Sequence, residues 1–191
     1  YKPLGRAFPE TSVGWYRLTL PPTSADDDRR VWLEFDGVFR DATVILNGYI
    51  IAQHRGGYTP FSVDATPFLN LDGKPDILLV RADASLGEGW FYEGAGVYRH
   101  VWMVRTAALH VPQSGVFVRA DRDGRVTADV EVVNDRDQAS MAEIEVQALN
   151  ASGAVVAVAK ASRAFGGWKR DALTFDLRIP DPKLWSVEAP N

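Results

Sequence analysis

The chain has 191 residues, of which 46% are hydrophobic and 24% charged, and its formal net charge is −4. This composition is typical of a globular protein and argues against a disordered one, and the 21 Lys and Arg residues are scattered rather than gathered into the basic stripe that nucleic-acid binding needs. The lack of Cys excludes disulfides and thiolate metal sites, and the apolar runs are too short to span a bilayer, so we expect neither a nucleic-acid nor a membrane partner.

The three histidines, His54, His100 and His110, have no metal-ligand spacing. We therefore expect no metal and no cofactor. The chain opens at Tyr1 without an initiator Met or a charged-then-apolar leader, so the expectation is that any signal peptide has been removed or was never included. A periplasmic or secreted location is favoured over a cytoplasmic one, although the absence of Cys does not decide the compartment.

Apolar residues alternate with polar ones along most of the chain, which is typical of half-buried β-strands. In the first half Val31, Leu33 and Phe35 show this alternation. Farther along, Asn47-Gly48 lies between two apolar runs, and this dipeptide favours the positive φ angles of a two-residue hairpin turn. The first half thus predicts strands joined by at least one tight hairpin.

The second half continues the same pattern. Segments 126–132 and 173–179 alternate with period two, and segment 138–149 fits a strand better than a helix. Turn signals lie between these segments at the spacing of an immunoglobulin-like sandwich. The aromatic content falls after residue 104, which together with Pro112 predicts a domain boundary and a short linker near residues 107–112.

Five motifs follow one another in the first half of the chain. They are Gly14–Arg17 (GWYR), Phe35–Val38 (FDGV), Asn47-Gly48, His54–Phe61 (HRGGYTPF) with Asp64 and Thr66, and Gly94–Arg99 (GAGVYR). In this order they resemble the N-terminal sugar-binding domain of glycoside hydrolase family 2, which contains β-galactosidases, β-glucuronidases and β-mannosidases. Segments 115–118 and 182–186 resemble the second, immunoglobulin-like domain of the same family.

The resemblance implies an all-β fold, with a jelly-roll (galactose-binding-like) β-sandwich at 1–108 and an immunoglobulin-like β-sandwich at 109–191 that we expect to be cut short at its C-terminal end. In the family a (β/α)₈ barrel with two catalytic Glu residues follows, and such a barrel needs about 250 residues. The resemblance therefore implies a non-catalytic N-terminal fragment of a retaining glycosidase, with β-galactosidase favoured. Its expected partners are the missing barrel and, through the parent enzyme, a carbohydrate; a homo-oligomeric parent is one option.

The loop 87–94 carries the candidate substrate-binding residues Glu88, Trp90 and Tyr92. Aromatic side chains between glycines suit stacking against the apolar face of a sugar ring, and core packing is the rival interpretation. We assign no catalytic residue to this chain, because nothing in the sequence desolvates or orients its carboxylates. We expect Gly56, Gly57, Gly94 and Gly96 to have structural roles.

Two further expectations concern charge and function. Four charged residues of the first half are expected to form buried ion pairs at the sheet edges: Arg17, Asp36, Asp41 and Arg99. Besides the glycosidase fragment, two functions stay open, namely a free-standing carbohydrate-binding module and a structural tandem sandwich without a sugar site.

Overall fold

The computed structural model describes residues 13–23, 29–86 and 95–188. It divides the chain into two compact units, Tyr1–Ala107 and Ala108–Asn191. We call them unit 1 and unit 2. Within the described ranges the regular structure consists of β-strands and a three-residue 3-10 turn at Thr66–Phe68, so the all-β prediction is confirmed.

The described part of unit 1 contains nine strands. They are β1 Val13–Leu20, β2 Arg29–Phe35, β3 Val38–Phe39, β4 Asp41–Leu46, β5 Tyr49–Arg55, β6 Phe61–Asp64, β7 Asp76–Asp83, β8 Gly96–Val97 and β9 Val101–Ala107. They form an antiparallel sheet in the order β1-β7-β4-β5, a second sheet in the order β6-β2-β9, and the short pair β3-β8. The two larger sheets are the layers of a sandwich.

The core of unit 1 lies between these sheets. Val31, Leu33 and Phe35 of β2 are each at most 1% exposed, as their alternation predicted. They pack with the inward residues of β4 and β7. The ring of Phe35 stacks on Phe61 with 4.7 Å between centroids. Because successive side chains of a strand point to opposite faces, the same alternation turns the polar residues of β2 outward.

The Asn47-Gly48 hairpin is confirmed. Asn47 and Gly48 have φ angles of 50° and 89° and join β4 to β5. The side chain of Asn47 also reaches β7: its Nδ2 donates to Asp76 Oδ1 at 2.7 Å, and its Oδ1 accepts from Ile77 N at 2.9 Å. Asp76 is fully buried. The turn residue therefore ties the hairpin to the neighbouring strand.

The described part of unit 2 contains six strands. They are β10 Leu109–His110, β11 Val116–Ala120, β12 Arg125–Asn134, β13 Ser140–Leu149, β14 Val155–Phe165 and β15 Lys169–Arg178. β10 and β11 pair with β12, β15 pairs with the other edge of β12, and β13 and β14 form a separate hairpin. β13 confirms that segment 138–149 is a strand and not a helix.

The core of unit 2 is centred on β12, whose Val126, Ala128, Val130 and Val132 are at most 9% exposed. The inward side chains of β13 and β14 pack against them. The β12 residue Asn134 is buried and its Nδ2 donates to Phe165 O at 3.0 Å. This amide links β12 to the end of β14.

Residues 108–110, within the segment where we expected a short linker, are bonded to strand β12 of unit 2 and the residue after it. Ala108 is 3% exposed, and its carbonyl oxygen accepts from Asp135 N at 2.9 Å. Leu109 and His110 pair with the last residues of β12. Composition alone missed this, because pairing with β12 depends on residues more than twenty positions away in the sequence.

Candidate functional site

The candidate residues Glu88, Trp90 and Tyr92 lie outside the described residues, as does Gly94. Their contribution to a site stays a prediction. The structure does describe the residues on both sides of this segment. They are the end of β7 with residues 84–86 before it and the start of β8 after it, and together we call them the frame.

On the β7 side, the frame is fixed by Asp83. Its carboxylate accepts from Arg81 Nη2 at 2.7 Å and from the backbone amide of Ser85 at 3.0 Å, and the Ser85 hydroxyl donates to it at 2.5 Å. The Ser85 hydroxyl, the Ser85 amide and Arg81, in that order, lower the pKa of Asp83 to about 2. This carboxylate is therefore ionised at neutral pH and holds Ser85, two residues after β7 ends.

On the β8 side, Gly96 has a φ of 96°, and a Cβ atom there would overlap the hydroxyl of Tyr16. Two residues on, the Tyr98 hydroxyl donates to the carbonyl oxygen of Gly57 at 2.7 Å. The Tyr98 ring also lies against Gly37, where a Cβ would come within 2.9 Å of it. Four of the five sequence motifs thus meet at this end of unit 1.

The segment 55–60 of the HRGGYTPF motif is held by stacked rings. His54 stacks on Phe61 with 4.4 Å between centroids, and its Nε2 lies 3.0 Å from Thr59 Oγ1. Phe61 in turn stacks on Phe35 of the core. The sequence places an aromatic residue at each level of this stack, so the segment is anchored to the sandwich.

At Gly57 the backbone lies directly against the ring of Phe39. A Cβ at position 57 would overlap the ring of Phe39, which is 2% exposed and meets Tyr58 edge-on. The structural roles predicted for Gly56, Gly57 and Gly96 are confirmed, since Gly56 and Gly96 have positive φ angles. Neither glycine leads into a helix that could bind phosphate.

Two carboxylates face each other next to the frame. Asp41 and Asp83 are directly opposite across β4 and β7, a spacing of roughly 4.5–5.5 Å between Cβ atoms. Each has an Arg beside it, since Arg40 Nε lies 3.7 Å from Asp41 and Arg81 contacts Asp83. A glycosidase acid needs a raised pKa, whereas the pKa of Asp83 is lowered to about 2. Asp83 is therefore unsuited to the role of the catalytic acid.

The expectation of buried ion pairs is wrong for Arg17 and Arg99, both of which are exposed. The guanidinium of Arg99 lies 5.4 Å from the centre of the Tyr98 ring. Asp41 does have an Arg neighbour, but at the partly exposed position described above. Charged side chains of this sheet edge can stay hydrated, which costs less than burying them in pairs.

Sequence reasoning missed the true partners of Asp36. Its Oδ2 accepts from the indole Nε1 of Trp102 at 3.1 Å and lies 3.8 Å from His100 Nδ1. The His100 and Trp102 rings stack with 5.1 Å between centroids. Period-two alternation places Asp36 on the outer face of β2, but only the β2–β9 register brings it to Trp102, 66 residues later.

The described ranges lack two kinds of site. There, no group of three or more His, Cys, Asp or Glu residues could hold a metal ion. No helix in the same ranges is long and apolar enough to cross a membrane.

Family models match both units in sequence order. The model for the glycosyl hydrolase 2 galactose-binding domain-like domain matches residues 10–113, and the model for glycosyl hydrolases family 2 matches residues 110–191. The chain belongs to glycoside hydrolase family 2. Its family 2 relatives include the β-galactosidase BoGH2A of Bacteroides ovatus, at 32% identity over 97% of this chain, and a β-glucuronidase of Formosa agariphila, at 25% identity over 92%.

Solved family 2 structures share the fold. A family 2 member from Bacteroides cellulosilyticus superposes with a TM-score of 0.87 at 24% identity, over 96% of this chain and 26% of that one. A Bacteroides uniformis β-glucuronidase gives 0.83 at 25% identity, over 94% and 23%. The chain spans only 22% of the length of BoGH2A and 20% of the Formosa enzyme.

Proposed function

We propose that this chain is the N-terminal, non-catalytic part of a longer retaining glycosidase of family 2, with β-galactosidase as its activity. The observation that carries this proposal is coverage: two consecutive family models span the chain from residue 10 to residue 191, while the chain spans about a fifth of glycosidases related to it. The lowered pKa of Asp83 is in keeping with it, because a glycosidase acid needs a raised pKa.

β-Galactosidase is favoured over β-glucuronidase by the residues of the GGY and GAGVYR motifs and by the identity of 32% to BoGH2A, against 27% to a putative β-glucuronidase of Formosa agariphila. An acid and a nucleophile about 5–5.5 Å apart are needed for retention. In the proposal both come from a downstream barrel. An exported location and a homo-oligomeric parent stay predictions.

Within this function, Trp90 and Tyr92 are proposed to line the pocket for the non-reducing sugar, with Glu88 as a hydrogen-bond acceptor for its hydroxyls. The support is the frame around their loop. Asp83 holds one side, and Gly96 and Tyr98 hold the other against the HRGGYTPF segment. Fixed flanking residues favour a defined position for side chains between them.

The test compares the purified chain with the longest polypeptide encoded by its gene, on nitrophenyl β-galactoside and nitrophenyl β-glucuronide. The chain alone is expected to be inactive on both, and the longer protein to prefer the galactoside. Turnover by the chain that survives repurification would overturn the fragment assignment. Preference for the glucuronide would overturn the substrate.

A second comparison concerns the loop. Trp90→Ala in the active protein is expected to lower kcat/KM about tenfold, because one aromatic contact is lost, with little change in melting temperature. If Trp90 instead packs in the core, the melting temperature falls and the kinetics of the folded enzyme stay normal. A free-standing carbohydrate-binding module would show glycan binding with no activity in any form of the gene product.

A further inference from the structure

The outer face of the β6-β2-β9 sheet carries two tryptophans at neighbouring positions. Since β2 buries Val31, Leu33 and Phe35, Trp32 lies on the opposite face of the strand. Trp32 pairs with Val104 of β9, and Trp102 is two residues before Val104. The two tryptophans are therefore diagonal neighbours, roughly 7–8 Å apart, on one face.

Acceptor groups surround these rings. Glu34 lies directly opposite Trp102, and on the other side of β2 the register pairs Ser62 with Glu34 and Asp64 with Trp32. Directly paired residues share a face of the sheet. The outer face thus combines aromatic rings with carboxylates and a hydroxyl.

One end of this face is preorganised and still open to solvent. The hydrogen bond from Trp102 to Asp36 and the stacked His100 ring fix the indole plane. Yet Trp102 is 50% exposed, and the side chains of His100 and Asp36 are 77% and 41% exposed. Because the indole N–H is already used, Trp102 offers a ligand its ring and not a hydrogen bond.

This set of groups fits a sugar ring better than other ligand classes. The C–H face of a pyranose packs on an aromatic ring, and its hydroxyls can donate to carboxylates and accept from Ser62 or His100. Three carboxylates, Glu34, Asp36 and Asp64, outnumber Arg30, the β2 arginine on this face, and so disfavour a phosphate or a nucleic acid. A cationic peptide could use the carboxylates as well, so a poly-lysine peptide is included in the test.

We propose that the outer face of the β6-β2-β9 sheet binds a glycan chain, with Trp102 and Trp32 as the stacking platform and Asp36, His100 and Glu34 as hydrogen-bonding groups. The proposal goes beyond hydrolysis by the longer protein and does not depend on it. It would place glycan recognition on an outer sheet surface of unit 1 as well as on the loop 87–94.

The test uses the 191-residue chain and a β-linked galactotetraose. Indole N–H resonances are assigned with single Trp→Phe variants and followed by two-dimensional NMR during titration. The resonances of Trp102 and Trp32 are expected to shift in a saturable manner. Trp102→Ala is expected to weaken binding about tenfold, the loss of one aromatic contact.

Trp15→Ala is the matched control, because Trp15 is 59% exposed and lies on the other large sheet, opposite Arg81. It should leave the affinity unchanged. Asp36→Asn keeps the shape of the side chain and should weaken binding without lowering the melting temperature, so the proposal stays testable if Trp102→Ala is unstable. A reversed pattern, with Trp15→Ala the damaging change, would contradict the proposal.

Two other outcomes would also overturn it: no saturable shift at Trp102 or Trp32, or tighter binding of a poly-lysine peptide than of the tetraose at the same resonances. Failure of this binding test says nothing about hydrolysis, which is measured separately on nitrophenyl substrates. Conversely, glycan binding here would persist in a protein that proved inactive.

Discussion

In unit 1 the inward side chains of β2 are shielded from solvent, whereas in unit 2 the inward side chains of β11 are half exposed. Val31 and Phe35 are each 0% exposed. Val116 and Val118 of β11 pair with Val130 and Ala128 and so share their inward face, but they are 52% and 55% exposed. The partners across the ladder, Val130 and Ala128, are 3% and 0% exposed.

The difference comes from the opposing layer. In unit 1 a four-stranded sheet lies against a three-stranded one, while in unit 2 the described strands opposite β12 are the β13–β14 hairpin. A sheet face is buried only where another element covers it. Apolar alternation therefore predicts which face of the sheet a side chain lies on. Whether that side chain is buried depends on the second layer that covers this face.

The largest expected effect is in the covered core. Phe35→Ala removes a fully buried ring stacked on Phe61 and should lower the unfolding free energy of unit 1 by about 3–5 kcal/mol. Phe117→Ala in unit 2 is the control, because Phe117 is 60% exposed, and it should cost no more than about 1 kcal/mol. Hydrogen exchange resolved by unit measures both; equal losses would contradict the comparison.

A sharper version uses two valines that face each other across β11 and β12. Val130→Ala should destabilise unit 2 by about 2 kcal/mol, since it removes buried methyl groups worth about 0.8 kcal/mol each and leaves a cavity. Val116→Ala makes the same chemical change at a half-exposed site and should cost less than about 0.5 kcal/mol. Denaturant unfolding followed in unit 2 tests the pair, and a large loss at Val116 would show that β11 is covered in solution.

Turn strain should be alike in the two units. Gly48 and Gly153 have φ angles of 89° and 81°, and a Cβ at either position meets nothing within 4 Å. Valine at either site should therefore cost about 1–2 kcal/mol through backbone strain alone. Comparable drops in melting temperature for Gly48→Val and Gly153→Val would assign the difference between the units to packing. An unchanged melting temperature for both would refute the turn assignment.

The smallest expected effect is on acid stability. Folding lowers the pKa of Asp83 from 3.8 to about 2, through Ser85 and Arg81. The ionised form is favoured in the folded state, so this contribution is fully present above pH 3.8 and is lost as the pH falls towards about 2. Asp83→Asn should flatten the stability of unit 1 over that range. The measurement is the melting temperature against pH, and parallel curves for both proteins would rule the contribution out.

The sequence predicted the features that depend on neighbours along the chain. Period-two alternation located β2, β12 and β13, and Asn47-Gly48 located a hairpin, because side-chain direction and turn conformation are local properties. The family motifs then predicted the jelly-roll and immunoglobulin-like sandwiches, which the family models and the solved structures confirm.

Features that depend on register were not predictable in this way. The hydrogen bond between Asp36 and Trp102 and the pairing of residues 109–110 with β12 join residues that only the strand register brings together. Charge alone suggested Arg partners for Asp36, and the neighbouring strand supplies an indole instead. For the loop 87–94, residue types suggested a sugar contact. The described structure covers the flanking residues on its two sides and not the loop itself.

The side-chain amide of Asn47 has a consequence for the chemical ageing of the protein. Asn-Gly pairs are prone to deamidation, in which the glycine nitrogen attacks the asparagine side-chain carbonyl. In the folded state that amide is held by Asp76, Ile77 and the carbonyl oxygen of Phe68. Unfolded molecules lack this protection. Deamidation would place a second carboxyl group beside the buried Asp76, so a chain damaged while unfolded would refold with two carboxyl groups in contact at the hairpin and without the amide donor of Asn47.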